Sequence, residues 1–407
     1  MKKLVVICGP TATGKTSLGV KLCSPLAGGI DGEIVSIDSR QIYKEMEIGV
    51  GKQPLHGNQK ESAEGKNRPR KTPEVKSVET SGVGELGGRG CVPPAESEFN
   101  IEKESGYWVI SGVKTHLYDL ISPDEELNAV QYARLAADRI EKIWSRGKVP
   151  FLVGGAGLYL EILLGMVEVA KVPKNPELRE ELSKLSQEDL VARLKDVAPE
   201  RAETIDKNSP HRVMRAIEIA VGRASATGKT SEVSADLPAR FAGAVARRAG
   251  KVGLISGVAE SGRPGNAADG KSPDSDKQQG TVQVLPENIE PLWLGLNAPR
   301  KYLYNKIDRR VDNMVEAGLL DEVKSLAEKY GWEAPALDSI GYIEFKKYFE
   351  GKKDLEEQVQ RVKYNTHAYA RRQLTWFRRN DDIKWLDITD EDFEREAEKM
   401  VKSYLEN

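Results

Sequence analysis

"KLVVIC", residues 3–8, is an apolar run that stops against glycine, and the pattern predicts a short buried strand. A polar, glycine-rich loop follows, and "KTSLGVKLC" opens a helix from Lys15. The same strand pattern returns in "EIVSID" at 33–38 and "VPFLVGG" at 149–155, with the long amphipathic stretch "NAVQYARLAADRIEKIWSRG" just before the latter. Strands alternating with helices predict an α/β fold, a parallel sheet with helices on both faces. Ligands of such sheets sit beyond the carboxyl ends of the strands. Asp38 and the Gly154–Gly155 pair end two of these strands, so they are expected to face one crevice together with the loop at 9–16.

From 175 to 223 the pattern becomes purely helical, in "NPELREELSKL", "SQEDLVARLKDV" and "SPHRVMRAIEIAVGR", which predicts a helical insertion domain. "PLWLGLN" at 291–297 reads as a further strand, and "RKYLYNKIDRRVDNMVEAG" and "LLDEVKSLAEKYG" as helices. Residues 55–105 and 232–284 are rich in Gly, Ser, Pro, Lys and Glu without sustained period, and are expected to be disordered insertions. The core is thereby divided into 1–54, 106–174 and 285–407.

Composition narrows the class. In 407 residues, 39% hydrophobic content is enough for a real core, no apolar stretch approaches membrane-spanning length, and no signal peptide is visible. A cytoplasmic monomer without a membrane partner is expected. Cys8, Cys23 and Cys91 have no metal or disulfide spacing. The net charge of −2 hides an uneven distribution. From Gln358 to Arg379, Arg361, Lys363, Arg371, Arg372, Arg378 and Arg379 alternate with Tyr364, Tyr369, Trp376 and Phe377, and no acid intervenes. Such a segment suits a nucleic-acid backbone and stacked bases, or it is the solvated face of an amphipathic helix.

The loop "GPTATGKT" completes the pattern G-x-x-x-x-G-K-[ST] with Gly9, Gly14, Lys15 and Thr16. Its backbone N–H groups, from Pro10's neighbours through Thr11, Ala12 and Thr13, form a nest for phosphate oxygens, and Lys15 adds a full charge. Thr16 is placed to help hold Mg²⁺. By itself the loop suggests ATP or GTP. A second "TGKT", 227–230, fails the pattern because its first glycine position is Arg223. A nucleotide hydrolase also needs an acid closing an apolar strand, yet "FLVGG" and "LWLGLN" end without one. Asp119 in "HLYDLI" reads as a turn or cap. Asp38 in "SIDSRQIY" is the carboxylate best placed as general base, with a turn aspartate as the alternative.

Taken in order, "GPTATGKT", "SIDSRQIYKEMEIGVGK", "HLYDLISPDE", "VPFLVGGAGLYLEILL", "NPELREEL", "SPHRVMRAIEI", "IDRRVDNMVEAGLLDEV", "ALDSIGYIEFKKYFEG" and "YARRQLTWFRR" resemble the tRNA dimethylallyltransferases, also called tRNA isopentenyltransferases. The resemblance implies a P-loop NTPase-like core that hydrolyses no nucleotide. It implies transfer of a dimethylallyl group from dimethylallyl diphosphate to N6 of an adenosine beside the anticodon of tRNA. The loop would then hold the diphosphate with Mg²⁺, Asp38 would take the amine proton, and Arg310, with Arg309 as the neighbouring alternative, would assist the leaving diphosphate. Ser39, Arg40 and Gln41 fall on positions that touch the flipped adenosine and its neighbours, and Ala156 falls on a further tRNA-binding position. Arg179 and the run His211, Arg212, Val213, Met214 and Arg215 fall on positions that contact the anticodon stem-loop.

Ala156 departs from that family, which usually carries threonine there, with a hydroxyl able to reach the donor's bridging oxygen. Loss of such a donor costs about 2.7–4 kcal/mol in an oxyanion site, unless water or the Thr11 hydroxyl replaces it. An adenylate isopentenyltransferase, an ATP-dependent small-molecule kinase and a non-catalytic RNA-binding protein are the competing readings.

Overall fold

Val5–Cys8 forms β1 with every side chain buried, and Lys15–Cys23 forms α1, entered through Gly14 in the left-handed region at φ 81°. The structure is a computed structural model and describes residues 2–24, 29–52, 101–167, 170, 172–226, 284–286 and 289–406. β2 is Gly32–Ile37, and β3 (Ile101–Glu104), β4 (Gly106–Ile110) and β5 (Val113–Tyr118) follow. Next come α2 (Ala129–Ser145), β6 (Val149–Gly154) and α3 (Gly157–Leu163). The helices α4 (Pro176–Ser183), α5 (Gln187–Val197), α6 (Pro199–Thr204) and α7 (Pro210–Ala226) precede β7 (Leu292–Asn297). The chain then runs through α8 (Arg300–Glu316), α9 (Leu319–Tyr330), α10 (Lys346–Phe349), α11 (Leu355–Phe377), β8 (Lys384–Asp387) and α12 (Phe393–Glu406).

The strands form one sheet in the order β3-β4-β5-β2-β6-β1-β7-β8. From β5 to β8 every neighbouring pair is parallel, whereas β3–β4 and β4–β5 are antiparallel. The expectation of a parallel sheet is therefore corrected at one edge, where hairpins replace crossovers. Residues 101–105, expected to be disordered, include β3. Its sequence IEKE is mostly exposed and charged, which suits an edge strand that must not recruit another chain, and which also resembles a disordered segment in composition. The remainder of 55–105, nearly all of 232–284, Cys91 and the second "TGKT" lie outside the described residues.

The chain divides into two compact units, 1–167 with 282–407, and 168–281. In the first, β-strand residues such as Val5, Ile7, Ile34, Phe151, Val153 and Leu294 share a core with Leu18 and Val20 of α1 and with Ala397 and Val401 of α12. The α2 helix starts at a capping box: the Asn128 side chain accepts from the Gln131 N–H while the Gln131 side chain accepts from the Asn128 N–H. In the second unit Leu178, Leu182, Leu190, Leu194, Ala202, Val213, Ile217 and Val221 make a separate core at helical spacing. Because β6 lies between β1 and β2, the segments that follow these three strands emerge side by side. That is where the loop at 9–14, Asp38 and Gly155 meet.

Asp119 is neither a helix cap nor exposed at a crevice. Its carboxylate accepts from Lys52 Nζ and Trp108 Nε1, and the Lys52 side chain has no exposure to solvent. Burial lowers the Lys52 pKa, and Asp119 acts against that shift. Asp119→Asn would leave a buried ammonium without its counter-charge, at a cost of about 3–5 kcal/mol. A urea titration of the variant should show a lower midpoint with the slope unchanged.

Candidate active site

Gly9 enters the phosphate loop at φ 132°, and a Cβ there would stand 2.3 Å from the Leu296 carbonyl oxygen. Glycine is thus required both by the backbone angle and by the close approach of β7. Ala12 adopts φ 64°, also left-handed, so the loop stores strain at a non-glycine position. The Thr13 hydroxyl is buried and donates to the Pro10 carbonyl at 2.9 Å, and Lys15 Nζ donates to the same oxygen at 2.7 Å. Thr16 occupies the first turn of α1.

Lys15 is pushed down to about 8 by burial and then by the Arg310 charge, with Asp38 opposing. Below that pH the ammonium is charged and ready for a polyanion; above it the ligand must bring a proton with it. Diphosphate binding should therefore weaken as pH rises through about 8, by up to about tenfold per pH unit. Calorimetry in buffers of different ionisation enthalpy should show proton uptake on that limb.

Arg310, on α8, donates from Nη1 to Thr11 Oγ1 at 3.0 Å. Its neighbour Arg309 is exposed. Burial lowers the Arg310 pKa and Asp38 raises it, which sets a carboxylate, a guanidinium and the Lys15 ammonium in one electrostatic neighbourhood. Asp38 follows β2 directly. Its Oδ1 accepts from the Arg40 N–H at 2.9 Å, an Asx turn, so the turn reading is realised. The Asp38 N–H meets the Tyr132 hydroxyl at 3.2 Å, and that hydroxyl donates to the Ser36 carbonyl at 2.6 Å. Tyr132 stacks on Tyr159 at 4.9 Å and 13°. Burial and then Asp38 raise the pKa of Tyr132, so its hydroxyl keeps its proton.

Sequence reasoning missed Gln373. This buried residue of α11 accepts the Thr11 N–H at 2.8 Å and donates to the Gly155 carbonyl at 3.0 Å, tying the phosphate loop to the segment after β6. A Cβ on Gly155 would stand 2.0 Å from Gln373 Nε2, which accounts for the glycine. The buried stripe of the basic helix holds Gln358, Val362, His367, Ala370, Gln373 and Phe377, three of them polar, so the sequence pattern does not single out Gln373. Lys363 pairs with Asp312, Arg371 donates to the Tyr304 hydroxyl at 2.6 Å, and Arg379 pairs with Glu161. Arg361, Tyr364, Arg372 and Arg378 are exposed.

The other expected residues divide. Ser39 bonds the Tyr159 hydroxyl, and the Arg40 guanidinium donates to the Pro335 and Asp338 carbonyls, each at 3.1 Å. Gln41 is buried, accepting from the Ser36 hydroxyl at 2.7 Å and donating weakly to the Val50 carbonyl at 3.4 Å. Ala156 caps α3 and brings no hydroxyl. In the second unit Arg179 and Arg215 both bind the buried Glu218, with Arg179 Nη2 at 2.9 Å from its Oε2. Val213 is fully buried in that unit's core, and Met214 packs partly against it. Within a helix whose apolar face closes that core, the Val213 side chain points inward, so any share it has in the run 211–215 would fall to its neighbours or to the backbone. His211 and Arg212 are exposed, Arg212 pairing with Asp206 at 3.1 Å.

Among the described residues no group of three or more His, Cys, Asp or Glu could hold a metal ion. Among the described residues no helix is long and apolar enough to cross a membrane.

The phosphate-type loop, with Lys15, Arg310 and Asp38 in one electrostatic neighbourhood, makes a site suited to an anionic ligand. The chain belongs to the IPP transferase family, whose pattern matches residues 109–380. It is 32% identical to a tRNA dimethylallyltransferase of Roseiflexus sp. (strain RS-1) and 34% identical to one from Roseiflexus castenholzii, over the full length of both chains in each case. Its fold is similar to that of the full-length tRNA isopentenylpyrophosphate transferase from Bacillus halodurans, with 26% identity, a TM-score of 0.55, and coverage of 100% of this chain and 97% of the other. A eukaryotic dimethylallyltransferase described as acting on tRNA shares the fold at 22% identity and a TM-score of 0.62, over 100% of this chain and 80% of its own.

Proposed function

We propose that the protein transfers a dimethylallyl group from dimethylallyl diphosphate to N6 of the adenosine next to the anticodon, at position 37 of tRNA, and releases diphosphate. The observation that carries this reading is the joining of Asp38, Lys15 and Arg310 at one phosphate loop, in a chain of the IPP transferase family. The bond from the allylic carbon to the diphosphate oxygen breaks and the bond from N6 to that carbon forms. The exocyclic amine is a poor nucleophile because its lone pair is delocalised into the ring, so Asp38 takes its proton. Lys15, the loop N–H groups and Arg310 receive the charge that grows on the leaving oxygen. Mg²⁺ held at Thr16 would neutralise part of the diphosphate charge.

The adenosine must leave its stack to reach the crevice. Ser39, Arg40, Gln41 and Ala156 lie along the segments that border it, and the exposed arginines and Tyr364 of α11 suit an RNA backbone and bases. His211 and Arg212 offer cationic or polar side chains to the anticodon stem, and Arg179 and Arg215 could add charge only while still held by Glu218. We take the active species to be a monomer in the cytoplasm. The test supplies labelled dimethylallyl diphosphate with unmodified tRNA or with AMP, followed by digestion to nucleosides. Prenylated adenosine from tRNA is expected; product from AMP alone would overturn the choice of acceptor.

A further inference from the structure

Asp38 and Arg310 come from distant parts of the chain, and something must set one against the other. The segment 38–52 begins at Asp38 and ends against Arg310: a Cβ on Gly51 would stand 1.9 Å from Arg310 Nη2, so the guanidinium rests on the bare glycine backbone. Midway along this segment three consecutive backbone N–H groups, those of Glu47, Ile48 and Gly49, all point at the carboxylate of Glu322, at 2.9, 2.9 and 3.1 Å. Tyr342 supplies a fourth donor through its hydroxyl at 2.6 Å. Burial, then the Glu322 charge, keeps that hydroxyl protonated. Successive N–H groups of this kind form an anion nest, and here an internal carboxylate fills it with charge-assisted hydrogen bonds.

Glu322 lies on α9, which follows α8 and its Arg310 after a single turn. We infer that Glu322 is a positioning residue: by clamping residues 47–49 onto α9 it fixes the backbone of Gly51 under the Arg310 guanidinium, and so sets Arg310 relative to Asp38 and the phosphate loop. Its carboxylate touches no reacting atom. The Gln41 amide reinforces the same segment through the Val50 carbonyl. Glycine at 49 belongs to the device as well, since a Cβ there would collide with the Tyr342 ring at 2.5 Å.

This inference rests on the proposed prenyl transfer, and a double-mutant cycle on the full-length chain tests it. Glu322→Gln keeps the shape but presents an amide to a nest built of donors. Its single-turnover rate of transfer to tRNA should fall about tenfold, with donor affinity changed less than about threefold, in line with coupling between residues of one network. In an Arg310→Gln background the same substitution should change the rate less than about twofold, because the group it positions is gone. Tyr342→Phe, which keeps the ring against Gly49, should show a smaller loss with the same dependence on Arg310. Rates are normalised to active sites counted by bound donor, so partial unfolding does not imitate the effect. Equal losses in both backgrounds, or no loss from Glu322→Gln, would overturn the positioning role. A wild-type chain that transfers no prenyl group would instead overturn the proposed function.

Discussion

Asp38→Asn should lower the single-turnover rate of prenyl transfer by about 10²- to 10⁴-fold, the range a positioned general base contributes. The substitution keeps the volume and the Asx turn, because an amide oxygen can accept the Arg40 N–H as the carboxylate does. What it removes is the acceptor for the adenine proton. Donor affinity should hold or rise slightly, since Asp38 is an anion close to the diphosphate cradle and its charge opposes that of the ligand. The expected signature is a fall in kcat with little change in the donor KM, read with rapid-quench assays and direct donor binding. If Asp38 served only as the turn aspartate, the isosteric amide would leave turnover nearly unchanged.

Arg310→Gln is the second large effect, a loss of about 10²- to 10³-fold in kcat, as for removal of one donor that faces developing negative charge. Arg310 reaches the loop at Thr11 and shares its field with Lys15, whose pKa it helps to lower. Its removal should therefore also shift the pH limb of diphosphate binding upward, because the free Lys15 ammonium loses a repulsive neighbour. The two readouts separate roles: kcat reports charge on the leaving oxygen, and the pH limb reports proximity to Lys15. A variant with lowered kcat and an unmoved limb would place Arg310 away from the lysine.

Much of this was legible in the order of apolar and polar positions. The strands at 3–8, 33–38, 149–155 and 291–297 and the loop "GPTATGKT" stand where the pattern predicts, because strongly buried parallel strands have unmixed apolar runs. The hairpin edge was not legible. β3 is polar and exposed, and β4 alternates only over five residues, so neither separates from the glycine-rich stretch before it. Gln373 was hidden for a different reason: its importance comes from two backbone groups hundreds of positions away, and only the topology brings them together. The burial of Val213 and the hydrogen bond from the Ser36 hydroxyl to Gln41 were likewise not readable from motif position.

The Lys52–Asp119 pair and the Glu322 clamp both act on the segment that carries Asp38, one at its far end and one at its middle. Held at these two points by charge-assisted hydrogen bonds, the segment keeps Asp38 in place without a helix or strand beneath it.

The central claim is that the loop holds the leaving diphosphate of a prenyl donor and that no nucleotide is cleaved. Wild-type protein, unmodified tRNA, dimethylallyl diphosphate and Mg²⁺ should yield one diphosphate for each N6-prenylated adenosine, with no ATP present. A requirement for ATP, or diphosphate release without modified adenosine, would contradict it.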